Sequence, residues 1–432
     1  MSGQGSAPTP RPASERPKTG VRPAEAAPRG PRTRHHGRAT GPLRHFWALL
    51  LLQLAVTTLG FACARSLPPE APPAPTRPDP DALLVATDAG PAPPAPTPFA
   101  TLAAPDAAPS PSIQLLHRGV NLSGGEFGSC CPGTYGRDYA FPTRADVDLF
   151  ATRRVTHLRL PFRHERLQRQ LKTDLDAVEW GRINDVLTYA LSKGMTVALE
   201  PHNFARYGGV VLTETEMGDL WGRIARRLPA DGRVWPNLTN EPRDMPTETW
   251  LALAKAAVKE IRRVGFTGRI VVPGNGWTGA AHWSSSWYGR PNSELMQQVT
   301  DPGSVFEVHL YLDSDSSGGG KECVSETIGV ERLKNFVAWL KTHKRLGYLG
   351  EIGAPNTPTC EKAVKNTLAS IEAEPALWVG WAWWSAGSRW PATYALSVQP
   401  IALDAGAGAM TLGADRPQFE WLRPFLYCGG GR

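Results

Sequence analysis

The feature that most constrains the fold is a regular alternation of short apolar segments and helical patterns between residues 113 and 428. In the segment 330–342, for example, Leu333, Phe336, Val337 and Leu340 recur at helical spacing. Segments typical of buried strands are 119–122, 156–160, 196–200, 234–240, 269–273, 306–311, 348–351 and 379–383. Helical patterns cover 144–153, 175–193, 215–228, 247–263, 330–342, 361–371 and 418–426, with a weaker one at 292–299.

Strands that alternate with helices indicate a parallel sheet covered by helices. Eight such units, over roughly 315 residues, predict an α/β fold, a (β/α)8 TIM barrel with enlarged βα loops. An open doubly wound sheet is the alternative. No G-x-G-x-x-G follows the first strand and no Walker A loop occurs, so the sequence has no nucleotide-binding signature.

The first 112 residues differ in composition from the rest, because 23 of the 41 prolines and only one of the 15 tryptophans lie there. Residues 1–45 form a basic tail with nine Lys and Arg against two Glu, which accounts for the whole net charge of +7. The remaining chain is electrically balanced, so we expect no nucleic-acid partner. Residues 65–112 contain 15 prolines and predict a disordered Pro/Ala-rich linker before the globular unit at 113–432.

Residues 46–64 form an apolar run that follows the basic tail and ends in an Ala-x-Ala pattern. This order is typical of a secretory signal peptide. The run is also close to the ~20 residues that span a bilayer, so an uncleaved membrane anchor is a second interpretation. Lipidation at Cys63 is a third. All three predict a protein that is secreted or tethered to the outer face of a membrane.

Two glutamates lie at the ends of predicted strands that open onto the same barrel mouth. Glu241 follows the fourth strand in Leu-Thr-Asn-Glu-Pro, and Glu351 ends the seventh in Leu-Gly-Glu-Ile-Gly. Retaining glycoside hydrolysis needs two carboxyl groups about 5–5.5 Å apart. We therefore predict Glu241 as acid and base, with a raised pKa, and Glu351 as a nucleophile kept ionised by donors such as Arg159 and Tyr311.

Eight short motifs occur in order at these strand ends. They are GVNLSGGEFG (119–128), LRLPFR (158–163), EPHNFARY (200–207), NEP (240–242), PGNGWTGA (273–280), HLYLDSD (309–315), GEIG (350–353) and WSAG (384–387). Through them residues 118–427 resemble glycoside hydrolase family 5, in particular its endo-β-1,4-glucanase (cellulase) group. The resemblance implies the same roles for the two glutamates.

The resemblance also implies roles for the residues around them. Asn240 would bind the sugar 2-hydroxyl, Arg159 and Tyr311 would orient Glu351, and His309 would lie near Glu241. The sugar-binding residues that it implies are His202 and Asn203 on the glycone side, Trp384 beside the scissile bond, and Trp277 and Trp390 as further platforms.

The sequence departs from the pattern of the group at three places. Pro236 lies inside a predicted strand, where it removes a backbone donor. Ser388-Arg389-Trp390 replaces a paired-tryptophan pattern and could weaken one sugar subsite, and Glu200 stands where many relatives have Asp. No carbohydrate-binding module is recognisable, so we do not expect tight binding to crystalline cellulose.

Two rival interpretations use the same residues. Glu200-x-His202 and Glu307-x-His309 could each present two metal ligands on one face of a strand. A carboxylate pair needs no metal, however, so we predict neither metal nor cofactor. A glycan-binding barrel without catalysis is the other rival, and the presence of both carboxylates argues against it.

The cysteines predict one disulfide. Cys323 and Cys360 follow the sixth and seventh strands, whose loops are neighbours in a barrel, and the family resemblance also favours this pair. For Cys130, Cys131 and Cys428 the sequence leaves open a vicinal pair, a bridge to Cys428, or free thiols. We thus expect an exported monomeric endo-β-1,4-glucanase that acts on β-glucan, with mannan, xyloglucan or mixed-linkage glucan as alternative substrates.

Overall fold

The computed structural model describes residues 116–128, 131–404 and 410–427. The predictions for the basic tail, the apolar run 46–64 and the linker 65–112 lie outside the described residues. Among the described helices, none has both the length and the apolar character needed to cross a membrane.

The described residues form twelve strands and nine helices in the predicted alternation. The strands are β1 (His117–Leu122), β2 (His157–Phe162), β3 (Thr196–Pro201), β4 (Arg206–Tyr207), β5 (Val210–Val211), β6 (Val234–Pro236), β7 (Ile270–Pro273), β8 (Ser304–Tyr311), β9 (Leu346–Gly353), β10 (Trp378–Ala386), β11 (Ala402–Asp404) and β12 (Met410–Leu412). The helices are α1 (Arg144–Thr152), α2 (His164–Leu167), α3 (Ala177–Ser192), α4 (Glu214–Ala225), α5 (Thr247–Arg263), α6 (Asn292–Leu295), α7 (Ile328–His343), α8 (Pro358–Glu372) and α9 (Pro417–Tyr427).

Eight of the strands form one parallel sheet in the order β6-β3-β2-β1-β10-β9-β8-β7. The other four pair as two small antiparallel hairpins, β4 with β5 and β11 with β12. Because the sheet curves until its two end strands meet, the predicted TIM barrel is confirmed.

The barrel closes through a short contact between β6 and β7. β6 ends at Pro236, four residues before the predicted end of this strand. Beyond it, Asn237 bridges to Val271 and the Leu238 amide donates to the Val271 carbonyl at 3.0 Å. Because proline has no N–H to donate, the strand lacks one ladder hydrogen bond at Pro236, and beyond it pairing continues through these isolated contacts.

Several helices begin at capping residues that the sequence already carries. Thr143 and Asp146 form a reciprocal capping box at the start of α1, and Thr213 and Glu216 form another at α4. Such boxes satisfy the backbone donors that a helix leaves free at its first turn. Capping therefore sets where the helices begin outside the sheet.

The apolar core has two parts. The larger one fills the space between sheet and helices and contains Trp221, Trp250, Trp339 and Trp421. The smaller one fills the barrel interior with Ala198, Trp235, Val271, Val305, Tyr348, Val379 and Ala382. Apolar residues thus occupy part of the interior, and the charged groups described below lie at the carboxyl ends of the strands.

Candidate active site

Arg159 is the centre of the polar cluster at the barrel mouth. β2 directs its side chain into the barrel, where it is fully buried. Its Nη1 donates to Glu351 Oε1 and to Asn121 Oδ1, both at 2.9 Å, its Nη2 donates to Asn240 Oδ1 at 2.8 Å, and its Nε donates to Glu307 Oε1 at 3.1 Å. A buried guanidinium is tolerated only when its donors are satisfied. Arg159 therefore aligns side chains from four strand ends or loops.

Glu351 on β9 is held at both carboxylate oxygens. Oε1 accepts from Arg159, and Oε2 accepts from the Tyr311 hydroxyl at 2.6 Å. Burial raises the pKa of Glu351, and the positive charges of His309 and Arg159 act against that rise. The two donors leave the carboxylate in one fixed orientation, which a nucleophile needs for in-line attack.

Glu241 stands in the loop that follows β6, with its backbone in the left-handed region at φ 39°. This region is unfavourable for a residue with a side chain, and such strain is common at functional sites. Its side chain remains 18% exposed, in contrast to the 3% of Glu351. One carboxylate oxygen from each glutamate and one ring nitrogen of His309 all lie within 4.8 Å of one another.

His309 on β8 lies between the carboxylates. Its Nδ1 is 2.9 Å from Glu241 Oε1 and 3.4 Å from Glu351 Oε2, and its Nε2 is 3.3 Å from Glu307 Oε1. Burial alone would lower the pKa of His309, but Glu351, Glu241 and Glu307 raise it to about 10. The ring is therefore an imidazolium at neutral pH.

Glu241, His309 and Glu351 also form the kind of cluster that could hold a metal ion. Glu200 and Glu307, the acidic halves of the two pairs considered above, both accept hydrogen bonds, from His202 at 2.8 Å and from Arg159 at 3.1 Å. The donors around these carboxylates favour hydrogen bonding over metal binding.

The orientation of Asn240 follows from its neighbours. Arg159 occupies its Oδ1, so its Nδ2 faces His202 Nε2 at 3.2 Å, and that ring nitrogen has to accept. The other ring nitrogen, Nδ1, then donates to Glu200 Oε1 at 2.8 Å. The Trp384 indole lies nearly parallel to the His202 ring, with centroids 5.5 Å apart. These residues form one ordered wall beside Glu351.

Asn203 is engaged differently from the other predicted sugar-binding residues. Its Oδ1 accepts from the His164 amide at 2.8 Å, and its Nδ2 donates to Glu165 Oε2 at 2.5 Å. Both partners belong to α2, and only 6% of the residue is exposed. Each end of the amide is thus occupied by protein, which ties the loop after β3 to α2.

Trp277 lines a cavity of about 380 Å³ that begins at Glu241 and Tyr311. The outer part of the cavity contains His282 and Trp287, whose rings lie 3.9 Å apart between centroids. Trp277 is 39% exposed and Trp287 is 60% exposed. Exposed aromatic faces next to a cleft can stack on the apolar faces of sugars.

Trp390 packs against other aromatic side chains. Its indole stacks on Tyr394 at 4.0 Å and meets Phe127 edge-on at 4.7 Å. The Tyr394 hydroxyl in turn accepts from Trp384 Nε1 at 3.0 Å. Arg389 donates to the backbone carbonyls of residues 136 and 137, which anchors the loop that carries Trp390. Trp390 therefore supports Trp384 through Tyr394.

Asn121 and Glu307 also belong to this network, although neither is among the site residues predicted from the sequence. Glu307 was considered only as a metal ligand, although it precedes His309 by two residues and therefore points into the barrel with it. Asn121 is the penultimate residue of β1, and its Oδ1 accepts from Arg159. The available signal was a polar residue at an inward position near a strand end.

The structure contains the disulfide between Cys323 and Cys360. It joins the loop after β8 to the first turn of α8. Cys131 is unpaired and exposed in the described part of the chain. Cys130 and Cys428 lie outside the described residues, so their pairing stays open.

A parallel barrel that holds two carboxylates this close at the ends of its strands has the architecture of a glycoside hydrolase. The family model described as cellulase (glycosyl hydrolase family 5) matches residues 117–387, and the chain belongs to this family. The resemblance inferred from the strand-end motifs is thereby confirmed, and the protein is an enzyme of the glycoside hydrolase class.

Curated relatives and solved structures agree with this assignment. Endo-β-1,4-glucanase B of Aspergillus niger is 34% identical over 286 residues, which cover 65% of this chain and 84% of that protein. The structure of an endo-β-1,4-glucanase from Xanthomonas axonopodis pv. citri is 38% identical with a TM-score of 0.68, covering 72% of this chain and 98% of that one. XacCel5A in complex with cellopentaose is 36% identical with a TM-score of 0.68, covering 72% and 99%.

Proposed function

We propose that this enzyme hydrolyses internal β-1,4-glucosidic bonds of cellulose or related β-glucans with retention of configuration, through Glu241 and Glu351. The observation that carries the mechanism is the approach of the two carboxylates, with oxygens within 4.8 Å of one another. A separation near 5 Å leaves no room for a water between carboxylate and sugar, so it favours direct attack by one of them.

In the first step, Glu351 attacks the anomeric carbon while Glu241 gives its proton to the leaving glycosidic oxygen. In the second step, Glu241 removes a proton from water, and the water oxygen attacks the anomeric carbon and displaces Glu351 from the sugar. Glu351 suits the nucleophile role because Arg159 and Tyr311 orient it. Glu241 suits the acid role because its side chain is the more exposed of the two and can exchange protons.

The roles of the surrounding residues follow from their positions. Asn240 is oriented by Arg159 and His202, so its amide can form a hydrogen bond with the sugar 2-hydroxyl in the transition state. Trp384 offers an indole face beside Glu351, and Trp277 offers one on the Glu241 side. Asn203 and Trp390 act mainly through the loops and rings that they hold.

The preference for β-1,4-glucan rests on the relatives, which are named endo-β-1,4-glucanases, and on the cellopentaose bound by XacCel5A. Mannan, xyloglucan and mixed-linkage glucan are the alternative substrates. Release of reducing ends from carboxymethyl-cellulose, barley β-glucan and mannan separates them. Binding of glucan without cleavage of any of these would instead support a non-catalytic barrel.

The nucleophile is tested by replacing it. We expect Glu351→Ala to lose turnover, and added azide to restore it on an activated aryl cellobioside with a glycosyl azide of inverted configuration. Rescue with retained configuration would contradict the assignment of Glu351. Glu241→Gln should lose about 10²–10⁴-fold on glucan, but far less on aryl substrates whose leaving group needs no proton.

Export is a separate part of the proposal. The apolar run 46–64 and the Ala-x-Ala pattern support a secreted enzyme, and retention of the run would tether it to the outer face of a membrane. The N-terminal residue of the mature protein distinguishes cleavage from anchoring. Sedimentation of the purified enzyme tests the expected monomer.

A further inference from the structure

An arginine two residues beyond the proposed acid lies between two aromatic rings at the cleft. The guanidinium of Arg243 is 4.6 Å from the ring centroid of Phe204 and 5.4 Å from that of Trp277. A cation over an aromatic face is attracted by the ring quadrupole. Arg243 therefore contacts Trp277, the exposed indole that lines the cavity beside Glu241.

A second neighbour of Trp277 is joined to the same arginine. Asp244 forms an ion pair with Arg243 through Oδ2 at 2.5 Å, and its Oδ1 accepts from the Tyr288 hydroxyl at 3.0 Å. The Tyr288 ring lies 6.0 Å from Trp277 between centroids. One carboxylate thus connects the two side chains that flank the indole.

The backbone of this segment is also anchored. Arg206 donates to the carbonyls of Arg243 and Asp244 at 2.9 and 3.2 Å. Among the described residues, Arg243 Nε is buried with no hydrogen-bond partner. The position of the guanidinium therefore depends on its contacts with the two rings and with Asp244.

The location of Trp277 indicates which part of a glucan it would meet. The cavity of about 380 Å³ contains both Glu241 and Trp277. The general acid protonates the leaving oxygen, so a cavity on its side receives the leaving half of the chain. An exposed tryptophan that is already immobile loses less conformational freedom when sugar binds to it.

We propose that Arg243, Asp244 and Tyr288 form a bracket that holds the Trp277 indole ready to stack on the sugar at the leaving-group side of the scissile bond. Arg243 is then a positioning residue that sets the affinity for the leaving half of the glucan. This inference rests on the proposed function, because it assigns the Glu241 side to the leaving group.

The test compares two substrates of the full-length enzyme. Cellohexaose can place sugars over Trp277, whereas the leaving fluoride of β-cellobiosyl fluoride is too small to reach it. We expect Arg243→Gln to raise KM for cellohexaose about fivefold and to change kcat less than about twofold, as for lost uniform binding. KM for the fluoride should stay at the wild-type value, and Arg243→Lys should restore part of the loss.

A double-mutant cycle tests whether Arg243 acts through Trp277. Trp277→Ala should raise KM for cellohexaose at least as much as Arg243→Gln, and combining the two should add no further loss. Tyr288→Phe keeps the ring and removes only the hydroxyl, so it should raise the same KM by roughly twofold. This conservative variant keeps the test valid if Arg243→Gln folds poorly.

Arg144 provides a matched control on the outside of the barrel. It pairs with Asp185 at 2.6 Å and lies over the Tyr189 ring at 5.1 Å, the same chemistry away from the cleft. Arg144→Gln should leave both KM values unchanged. An unchanged KM for cellohexaose in Arg243→Gln, or an equal rise for both substrates, overturns the bracket while leaving the proposed function intact. If wild type cleaves neither substrate, the proposed function fails, and the bracket fails with it.

Discussion

Nδ1 of the His309 imidazolium lies 2.9 Å from Oε1 of Glu241, the proposed acid. The same nitrogen is 3.4 Å from Glu351, and its charge offsets the repulsion between the two carboxylates. Without it, the raising effect of the Glu241 charge on the pKa of Glu351 is no longer offset. We expect His309→Ala to move the acidic limb of the kcat/KM profile upward by about one pH unit or more. An acidic limb at its wild-type position would contradict this role.

Glu307 is a fully buried member of the charge network, and we expect its loss to reduce the stability of the fold. Its Oε1 accepts from Arg159, Asn237 and His309 at 3.1, 3.0 and 3.3 Å. Although burial works in the other direction, Arg159 and His309 lower the pKa of Glu307. Glu307→Gln should reduce the free energy of unfolding by about 3–5 kcal/mol, because two buried cations lose a charged partner.

Urea unfolding followed by tryptophan fluorescence measures this change. Glu374→Gln is the matched control, since Glu374 forms an exposed pair with Lys341 at 2.6 Å. Exposed pairs contribute about 0–1 kcal/mol. Equal losses of unfolding free energy in the two variants would contradict a larger contribution from the buried ion pairs of Glu307.

Because Gly350 has no side chain, the carboxylate of Glu307 can occupy the space beside it in the barrel. A Cβ at this position would overlap Glu307 Oε1, which three donors hold in place. Gly350→Ala should therefore destabilise the fold by roughly 3 kcal/mol or more. Gly181 in α3 is the contrasting case, because a Cβ there meets nothing within 4 Å. Gly181→Ala should stabilise by about 0.5–1 kcal/mol, and thermal melting of both variants checks the opposite signs.

Two neighbouring histidines, the half-buried His117 and the buried His157, predict how stability depends on pH. Burial, aided by Arg269 and Arg118, lowers the pKa of His117 to about 4, and burial likewise lowers the pKa of His157 well below 6.5. His157 is held by Thr196 at 2.7 Å and by Tyr348 at 2.9 Å. Between about pH 6.5 and 4, the two histidines bind protons in the unfolded chain but stay neutral in the folded protein. The stability that these two histidines contribute is therefore fully present above about pH 6.5 and is lost as the pH decreases through this window.

The expected slope is about 1.4 kcal/mol per pH unit for each group that titrates only on unfolding. His117→Gln should remove its share, so that the stability of the variant falls less steeply between pH 6.5 and 4.5. Urea titrations at several pH values in that range measure both slopes. Parallel curves for wild type and variant would rule out His117 as a source of the acid sensitivity.

Much of the fold was predictable because it follows from repetition along the chain. Each strand is a short apolar run and each helix has its own apolar stripe, so the eight-unit barrel could be read from local pattern. The regular part of the fourth strand ends at Pro236, before its predicted end, and beyond this residue the chain pairs through isolated contacts such as that of Asn237 with Val271. Local pattern does not report which neighbouring strand will accept a hydrogen bond.

For the site, the order and length of the strands were enough to predict that Glu241 and Glu351 lie at one mouth of the barrel. The folded barrel, in contrast, established that Glu307 and Asn121 share the guanidinium of Arg159 and that Asn203 is bound to α2. It also decided that Trp390 supports Trp384 through Tyr394. These choices depend on which side chains from distant segments come within 3–4 Å, and contacts at that range arise only when the barrel closes.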